Sequence, residues 1–373
     1  MPDCIIIGGG PSGSVTSRIL QKNGISTAII DMKMEIGAPM TCDDLINISD
    51  IRSAGANPVE MRIEKLEAVD IRCGSSSLTL EASGREGDAF NSVVETDRLK
   101  KELTALAALE GSAVSIRSRA EKVSLNSNDE FAVTVRAGSR LELLKSSFLV
   151  LAGGSWANVP AFSSKPSGPV LIKSGFRYRR SASPSERIGK ATISFSSIDH
   201  GVSIENPVPG GFRDSLFMMH SNSEIPSPDA MALPGSVASG QRILDLPVAP
   251  VPEYGGALVV GLQSGLWNPI FPSAFHQSIA TARLAAECIT GEINGKNENA
   301  VQAYTERFHA ELAPTVSDEF LLYEELLKSR HDGIEKFLLR LDMEKFSEIS
   351  LAEIERRMHM DIGGLLGILK GNY

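Results

Sequence analysis

The sequence contains few cysteines and no long apolar segment. Its four cysteines are scattered over 373 residues, with no CxxC pair and no cysteine–histidine spacing of the zinc type. Neither a disulfide framework nor a metal site is therefore expected. No window approaches ~18 consecutive apolar residues, so no transmembrane helix is expected either. We predict a cytoplasmic protein and leave open a peripheral contact with a membrane.

Positive charge is also in deficit. The chain carries 37 Lys and Arg against 46 Asp and Glu, a formal net charge of −9. Because nucleic-acid backbones bind basic surfaces, nucleic acid is not an expected partner. The six histidines form no HExxH group, and no G-x-S-x-G elbow occurs, so metalloprotease and serine-hydrolase chemistry have no support.

The N-terminus contains a glycine-rich turn in a strand–helix–strand setting. Residues 3–7 are predicted to form a short, buried parallel strand, because residues 4–7 are a continuous apolar run. Gly8, Gly10 and Gly13 fill the G-x-G-x-x-G template, a helix is predicted over 14–23, and an apolar strand over 26–30. This context predicts a dinucleotide-binding βαβ unit.

Each position in this unit has a mechanical role. Gly8 permits the tight turn, Gly10 lets the backbone approach a pyrophosphate, and Gly13 lets the helix pack closely on the strand. The helix N-terminus offers free N–H groups to phosphates. Asp31 ends the second strand, where a carboxylate accepts hydrogen bonds from a ribose hydroxyl.

Four segments, in order, resemble the geranylgeranyl reductase family, flavoproteins with a p-hydroxybenzoate hydroxylase-type fold. Residues 31–42 are similar to the family's E-K-R-x-E-I-G-x-P-V-R-C stretch, and 94–98 to its V-D-R segment. Residues 148–154 resemble a strand ending in A-D-G, and 256–286 resemble the strand, G-D-A-A-G-x-x-N-P turn and helix that close over the flavin.

The resemblance implies an α/β fold with three parts. A Rossmann-type FAD-binding domain is expected at 1–48, 90–160 and 253–298, with an inserted antiparallel-sheet substrate domain at 49–89 and 161–252. A helical region is expected at 299–373. Within these parts, the residue pattern predicts a hairpin at 65–81, a meander over 114–151, further strands between 176 and 220, and a loop over 221–252.

FAD is the cofactor that the resemblance implies. The residues that it places at the cofactor are Gly8, Gly10, Pro11, Ser12, Gly13, Asp31, Met32, Thr41, Cys42, Arg98, Gly261 and Leu262. Cys42 is also the implied catalytic residue beside the flavin, with a small buried hydrophobe as the alternative interpretation. The neighbouring Asp43 and Asp44 are interpreted as a helix N-cap or as a catalytic acid. Trp267 is either a wall of the substrate tunnel or a core aromatic.

The sequence departs from the family at three places in the flavin half of the site. Leu262 replaces the acid of the closing motif, and Gly153 replaces the acid of A-D-G. Residues 271–275, Phe-Pro-Ser-Ala-Phe, replace a glycine-rich turn. The ADP half of the site keeps its residues, so cofactor binding is expected even if turnover is altered.

Three functions remain open. The first, implied by the resemblance, is FAD-dependent reduction of C=C bonds in geranylgeranyl or other isoprenoid lipids. Such an enzyme needs an external electron donor, because the sequence contains no second dinucleotide motif. The second is a flavin oxidoreductase acting on another hydrophobic small molecule. The third is a degenerate, non-catalytic paralogue that binds FAD or a nucleotide.

Overall fold

The structure is a computed structural model that describes residues 1–37, 44–73, 76–81, 92–127, 130–182, 189–196, 201–208, 212–221, 236–267, 274–296 and 299–314. Its strands are β1 (Cys4–Ile7), β2 (Thr27–Ile30), β3 (Asp44–Ile46), β4 (Ile63–Lys65), β5 (Ala68–Cys73), β6 (Ser76–Glu81), β7 (Ser92–Val94), β8 (Ala113–Ser115), β9 (Ser118–Leu125), β10 (Phe131–Ala137), β11 (Arg140–Ser146), β12 (Phe148–Leu151), β13 (Ala161–Phe162), β14 (Leu171–Ala182), β15 (Lys190–Ser196), β16 (Gly201–Val208), β17 (Phe212–Ser221), β18 (Ser236–Pro247), β19 (Glu253–Tyr254) and β20 (Ala257–Val259). The α-helices are α1 (Pro11–Lys22), α2 (Ile48–Ser53), α3 (Thr96–Leu109), α4 (Phe275–Ile293) and α5 (Ala300–Arg307).

A six-stranded sheet in the order β19-β20-β12-β1-β2-β8 forms the centre of the Rossmann-type part. Its strands are parallel except for β19, which pairs antiparallel with β20. Both faces of β1 are buried: Cys4 and Ile6 pack in the core with residues of α1, α4 and α5, and Ile5 and Ile7 pack with the β9–β10 strands. Burial on both faces is why β1 reads as a continuous apolar run.

A seven-stranded sheet in the order β18-β14-β17-β16-β15-β5-β6 forms the second large layer. Its neighbours pair antiparallel except for β15 and β5, which are parallel. The predicted hairpin at 65–81 is confirmed as β5 and β6. The fold class is also confirmed: a Rossmann-type α/β unit combined with a mainly antiparallel sheet. The domain boundaries given above stay a prediction.

Two element predictions were wrong in part. The expected meander over 114–151 divides, because β8 and β12 join the parallel sheet and only β9, β10 and β11 form the meander. The chain turns sharply between β8 and β9 at Arg117, which has a φ of 54°. The predicted loop over 221–252 contains β18, which pairs with β14 along its whole length. The Pro, Ser and Ala content of residues 221–252 suggested a loop, but long-range pairing overrides local composition.

The C-terminal part begins with α5, which continues into a π-helical stretch, Phe308–Leu312. Tyr304 and Phe308 are fully buried against the parallel sheet, and the Tyr304 hydroxyl donates to the Val259 carbonyl oxygen at 2.8 Å. The further helices predicted beyond residue 314 lie outside the described residues. Among the described residues, no helix is long and apolar enough to cross a membrane.

Candidate functional site

A cavity of about 410 Å³ lies between the parallel sheet and the seven-stranded sheet. The lining residues fall into two groups according to the elements that carry them. The first group, which we call the turn end, comprises the glycine turn, the end of β2, the start of β9 and the turn after β12. The second group, which we call the sheet end, comprises β14, β17 and β18 together with the start of α4. The cavity is therefore lined by residues from distant parts of the sequence.

The glycine turn leaves open space where a diphosphate would have to approach. Gly10 is the N-cap of α1 with extended backbone (φ −74°, ψ −176°), and a Cβ there would meet nothing within 4 Å. Gly10, Pro11 and Ser12 all line the cavity. The first-turn amides of a helix have no intrahelical acceptor, and no acidic side chain occupies the first turn of α1. These features suit an anion at the turn end.

The other two glycines of the motif hold the turn together. Gly8 has a φ of 115°, which favours glycine, and its carbonyl oxygen lies where a Cβ on Gly13 would clash. Gly13 does not line the cavity; it allows α1 to pack against β1 beside Ala152. The packing role expected for Gly13 is therefore confirmed, while contact of these glycines with a cofactor stays a prediction.

Asp31 is buried at the turn end and is held in place by backbone amides. Its Oδ2 accepts from the Gly9 N–H at 2.7 Å, and its Oδ1 accepts from the Lys33 N–H at 2.8 Å. Only 7% of the residue is exposed, and that part faces the cavity. Each carboxylate oxygen can accept more than one hydrogen bond, so a ribose hydroxyl can still be bound. Met32 lines the cavity next to Asp31.

The closing motif after β20 packs directly against the glycine turn. Gly261 has a φ of 68°, and a Cβ there would lie 2.6 Å from the Ser12 Oγ. Its N–H donates to Thr281 Oγ1 at 3.0 Å, which ties the motif to α4. Leu262 lines the cavity and packs on the apolar cluster of Leu244, Leu246 and Trp267. Glycine at 261 thus permits close packing, while Leu262 is the residue that faces the cavity.

Neighbouring side chains support the turn in which Gly153 replaces the family's acid. Gln263 Oε1 accepts from the Gly153 N–H at 2.7 Å, and its Nε2 donates to the Ser155 carbonyl at 2.8 Å. Asn158 Nδ2 donates to the Gly153 carbonyl at 2.8 Å. Sequence inspection missed Gln263 and Asn158, because amides at these positions are not part of the family's motif.

Several predicted residues lie elsewhere or beyond description. Arg98 is exposed and is not part of the cavity lining, because the turn of α3 directs Leu99 and Lys100 inward instead. Thr41 and Cys42 lie outside the described residues, so the catalytic role of Cys42 stays a prediction. Trp267 is buried in the core, where its Nε1 donates to the Pro247 carbonyl at 3.0 Å.

Asp44 lines the cavity from β3 and is not a helix cap. The cap of α2 is Asn47, whose side chain accepts from the Ser49 N–H at 2.9 Å. Burial raises the pKa of the Asp44 carboxyl to about 7, against smaller opposing effects of nearby Lys100 and of the Leu45 amide. At neutral pH a large fraction of Asp44 therefore carries a proton inside the cavity.

Lys33, Lys100 and Arg242 also line the cavity, and sequence inspection missed all three. Lys33 follows β2, Lys100 lies in α3, and Arg242 lies in β18. Burial is the main cause that lowers the pKa of Lys100 to about 8. Repulsion by Lys33 and Arg242 also lowers this pKa, while Asp97 opposes the change. Their distance in sequence hid the cluster.

Much of the remaining cavity wall is apolar, and Thr96, Ser118, Arg119, Tyr178 and Ser278 add polar groups to it. Its apolar lining residues include Ile46, Leu99, Phe176, Leu216, Leu244, Leu262 and Phe275. Large pockets with apolar walls and a few convergent polar groups are typical of sites for small molecules and cofactors. The arrangement offers a helix N-terminus and cations for phosphate, an acid for ribose and an apolar sheet end for a hydrophobic ligand.

The comparisons with known proteins agree with this architecture. No family model matches the chain. It is 29% identical over 157 residues to a digeranylgeranylglycerophospholipid reductase of Picrophilus torridus, a match that spans 41% of this chain and 39% of the relative. A reductase of the same name from Methanothrix thermoacetophila is 18% identical over 98% of this chain and 95% of its own. The first relatives are thus matched over about two fifths of their length.

Solved structures share the fold of the described residues. A geranylgeranyl bacteriochlorophyll reductase-like protein of Thermoplasma acidophilum superposes with a TM-score of 0.77 at 20% identity, over 99% of this chain and 98% of its own. The p-nitrophenol 4-monooxygenase of Pseudomonas putida gives a TM-score of 0.73 at 12% identity, over 98% of both chains. At these identities, the likeness establishes the fold.

Proposed function

The chain is a relative of the geranylgeranyl reductases, and on that premise we propose that it is an FAD-dependent reductase of C=C bonds in isoprenoid lipids. The observation that carries the proposal is the single cavity surface shared by the glycine turn and the apolar sheet end. The curated relatives that match it are named as reductases of a geranylgeranyl phospholipid.

The described residues fit FAD. Open space at Gly10, the free amides of α1 and the buried carboxylate of Asp31 suit the ADP half of the cofactor. When bound, reduced FAD supplies a hydride equivalent to the substrate. An external donor must then reduce the flavin again.

The protein's own contribution to the reaction is a dry site and a proton. Phe176, Leu216 and Leu244 at the sheet end exclude water from an apolar chain. Reduction of a C=C bond adds a hydride to one carbon and a proton to the other. Asp44 holds a proton on its carboxyl oxygen near neutral pH, so we assign it as the proton donor. Cys42 remains the second proposed catalytic residue.

The test is flavin reoxidation in the absence of oxygen. The protein is loaded with FAD, reduced with dithionite, freed of excess reductant and mixed with a geranylgeranyl lipid or with its fully saturated counterpart. We expect reoxidation with the unsaturated lipid only, because the saturated chain matches it in length but has no bond to reduce.

Two other results separate the alternative functions. If the bound flavin is reduced by dithionite but is not reoxidised by geranylgeranyl lipid, the substrate is another hydrophobic molecule. A protein that binds no FAD under any condition would leave only the non-catalytic paralogue. Flavin absorbance reports cofactor binding and its bleaching reports redox competence, so the three outcomes are distinct.

A further inference from the structure

Arg242 reaches the cavity from the seven-stranded sheet. It lies in β18 opposite Phe176 of β14, and both side chains line the cavity. Its guanidinium lies beside the turn after β12, 3.7 Å from the point that a Cβ on Gly154 would occupy. The residue is half-buried, and burial lowers the pKa of its guanidinium. The second sheet therefore places a cation against the nucleotide-binding part.

Two lysines face the same space from the other side. Lys33 follows Asp31 by two residues, and Lys100 lies in the second turn of α3. Burial lowers the pKa of Lys33, and repulsion by Arg242 lowers it further. Lys100 is repelled by Lys33 and Arg242 in turn. These mutual effects show that the three cations share one electrostatic environment.

The acidic groups nearby offset the charge of this cluster only in part. The Asp97 carboxylate lies 3.7 Å from the Lys100 Nζ, and attraction to Asp31 and Asp97 opposes the lowering of the Lys33 pKa. The pKa of Asp44 is about 7, so only part of this carboxyl is charged at neutral pH. Among the described residues, neither the Lys33 Nζ nor the Arg242 guanidinium has a hydrogen bond or an ion pair. Partly desolvated cations that repel one another are costly without a counter-ion.

We propose that Lys33, Lys100 and Arg242 form a binding site for a phosphate group inside the cavity, with Arg242 closing the site from the second sheet. The planar guanidinium can bind two phosphate oxygens at once, and the two ammonium groups add point charges. The inference rests on the proposed function in placing a phosphate-bearing ligand in this cavity. The phosphate belongs either to the diphosphate of the cofactor or to a phosphorylated isoprenoid.

The experiment compares ligands that differ by their phosphate groups. Binding of FAD and of riboflavin is measured by flavin fluorescence, and that of geranylgeranyl phosphate and of geranylgeraniol by calorimetry. The variants are Arg242→Gln, Arg242→Lys and the control Lys173→Gln, which removes an exposed cation from β14 away from the cavity. Thermal unfolding checks that each variant is folded.

We expect Arg242→Gln to lower the affinity for a phosphorylated ligand about tenfold to hundredfold. The affinity for its phosphate-free counterpart should not change. Arg242→Lys should recover part of the loss, and Lys173→Gln should behave as wild type. A selective loss of FAD assigns the phosphate to the cofactor, and a selective loss of geranylgeranyl phosphate assigns it to the substrate.

Two results would overturn the proposal. One is unchanged affinity of Arg242→Gln for both phosphorylated ligands. The other is an equal loss for riboflavin and FAD and for both isoprenoids, since Arg242 would then act through packing alone. If the wild-type protein binds FAD and Arg242→Gln gives either result, the phosphate site is contradicted. The proposed function then stays intact.

Discussion

The two ends of the cavity are built from the sequence in different ways. The turn end comes mainly from the first strand, helix and strand, where Gly10, Ser12 and Asp31 lie within about twenty residues of one another. The sheet end combines Phe176, Leu216 and Arg242, which come from three strands far apart in sequence. Under the proposed function, the local end holds the cofactor by backbone geometry, and the composite end selects the ligand by side-chain chemistry.

The largest expected effect concerns packing at the turn end. Gly13→Ala would place a Cβ against the Gly8 carbonyl oxygen, Ala152 and Ile6, with no flexible atom able to yield. We expect the free energy of unfolding to fall by about 3 kcal/mol. Thermal and urea unfolding measure the loss.

Gly168→Ala is the matched control, since Gly168 is exposed and a Cβ there would meet nothing within 4 Å. Equal stability of the two variants would mean that α1 does not pack on β1 as described.

The next effect concerns proton supply from the wall between the two ends. Asp44→Asn should lower the rate of flavin reoxidation by geranylgeranyl lipid about a hundredfold. In the wild type, the raised pKa keeps Asp44 protonated below about pH 7, so the rate should decline as the pH rises through that value. The variant should lose this pH dependence and keep its FAD affinity. A variant that retains both the rate and the pH profile would exclude Asp44 as the proton donor.

A smaller effect is expected at the ribose contact. Asp31→Asn keeps the shape of the side chain but replaces one acceptor oxygen by an N–H₂ group, which then faces a backbone N–H. We expect affinity for FAD and for ADP to fall together by about tenfold, while affinity for riboflavin stays constant. Titration of the three ligands measures this. A loss confined to FAD would place Asp31 at the flavin rather than at the ribose.

The turn end could be predicted from the sequence to a larger extent than the sheet end. The βαβ unit around Gly8, Gly10 and Asp31 was predicted correctly because it is local, and its spacing reflects backbone requirements alone. Strand β18 was missed because the Pro, Ser and Ala content of residues 221–252 is typical of a loop, whereas the strand is stabilised by pairing with β14. Arg242 was missed with it, since a residue in a supposed loop was not placed near the cavity.

The flavin half shows why motifs alone mislead. Arg98 ends the segment that resembles the family's V-D-R, yet it is exposed while Lys100 lines the cavity. Gln263 and Asn158 support the turn in which Gly153 replaces an acid. Gln263 lies more than one hundred residues from Gly153 in sequence. Supporting contacts of this kind depend on which residues are close in the folded structure, and a sequence motif does not contain that information.

The most direct measurement is the affinity of Gly10→Val for FAD beside that of Gly168→Val. Both glycines have space for a side chain, so both variants should unfold at the temperature of the wild type. If the glycine turn holds a diphosphate, the affinity of Gly10→Val for FAD and for ADP should fall by at least about a hundredfold. Gly168→Val should bind both ligands with wild-type affinity. Wild-type affinity of a folded Gly10→Val protein would contradict the central claim.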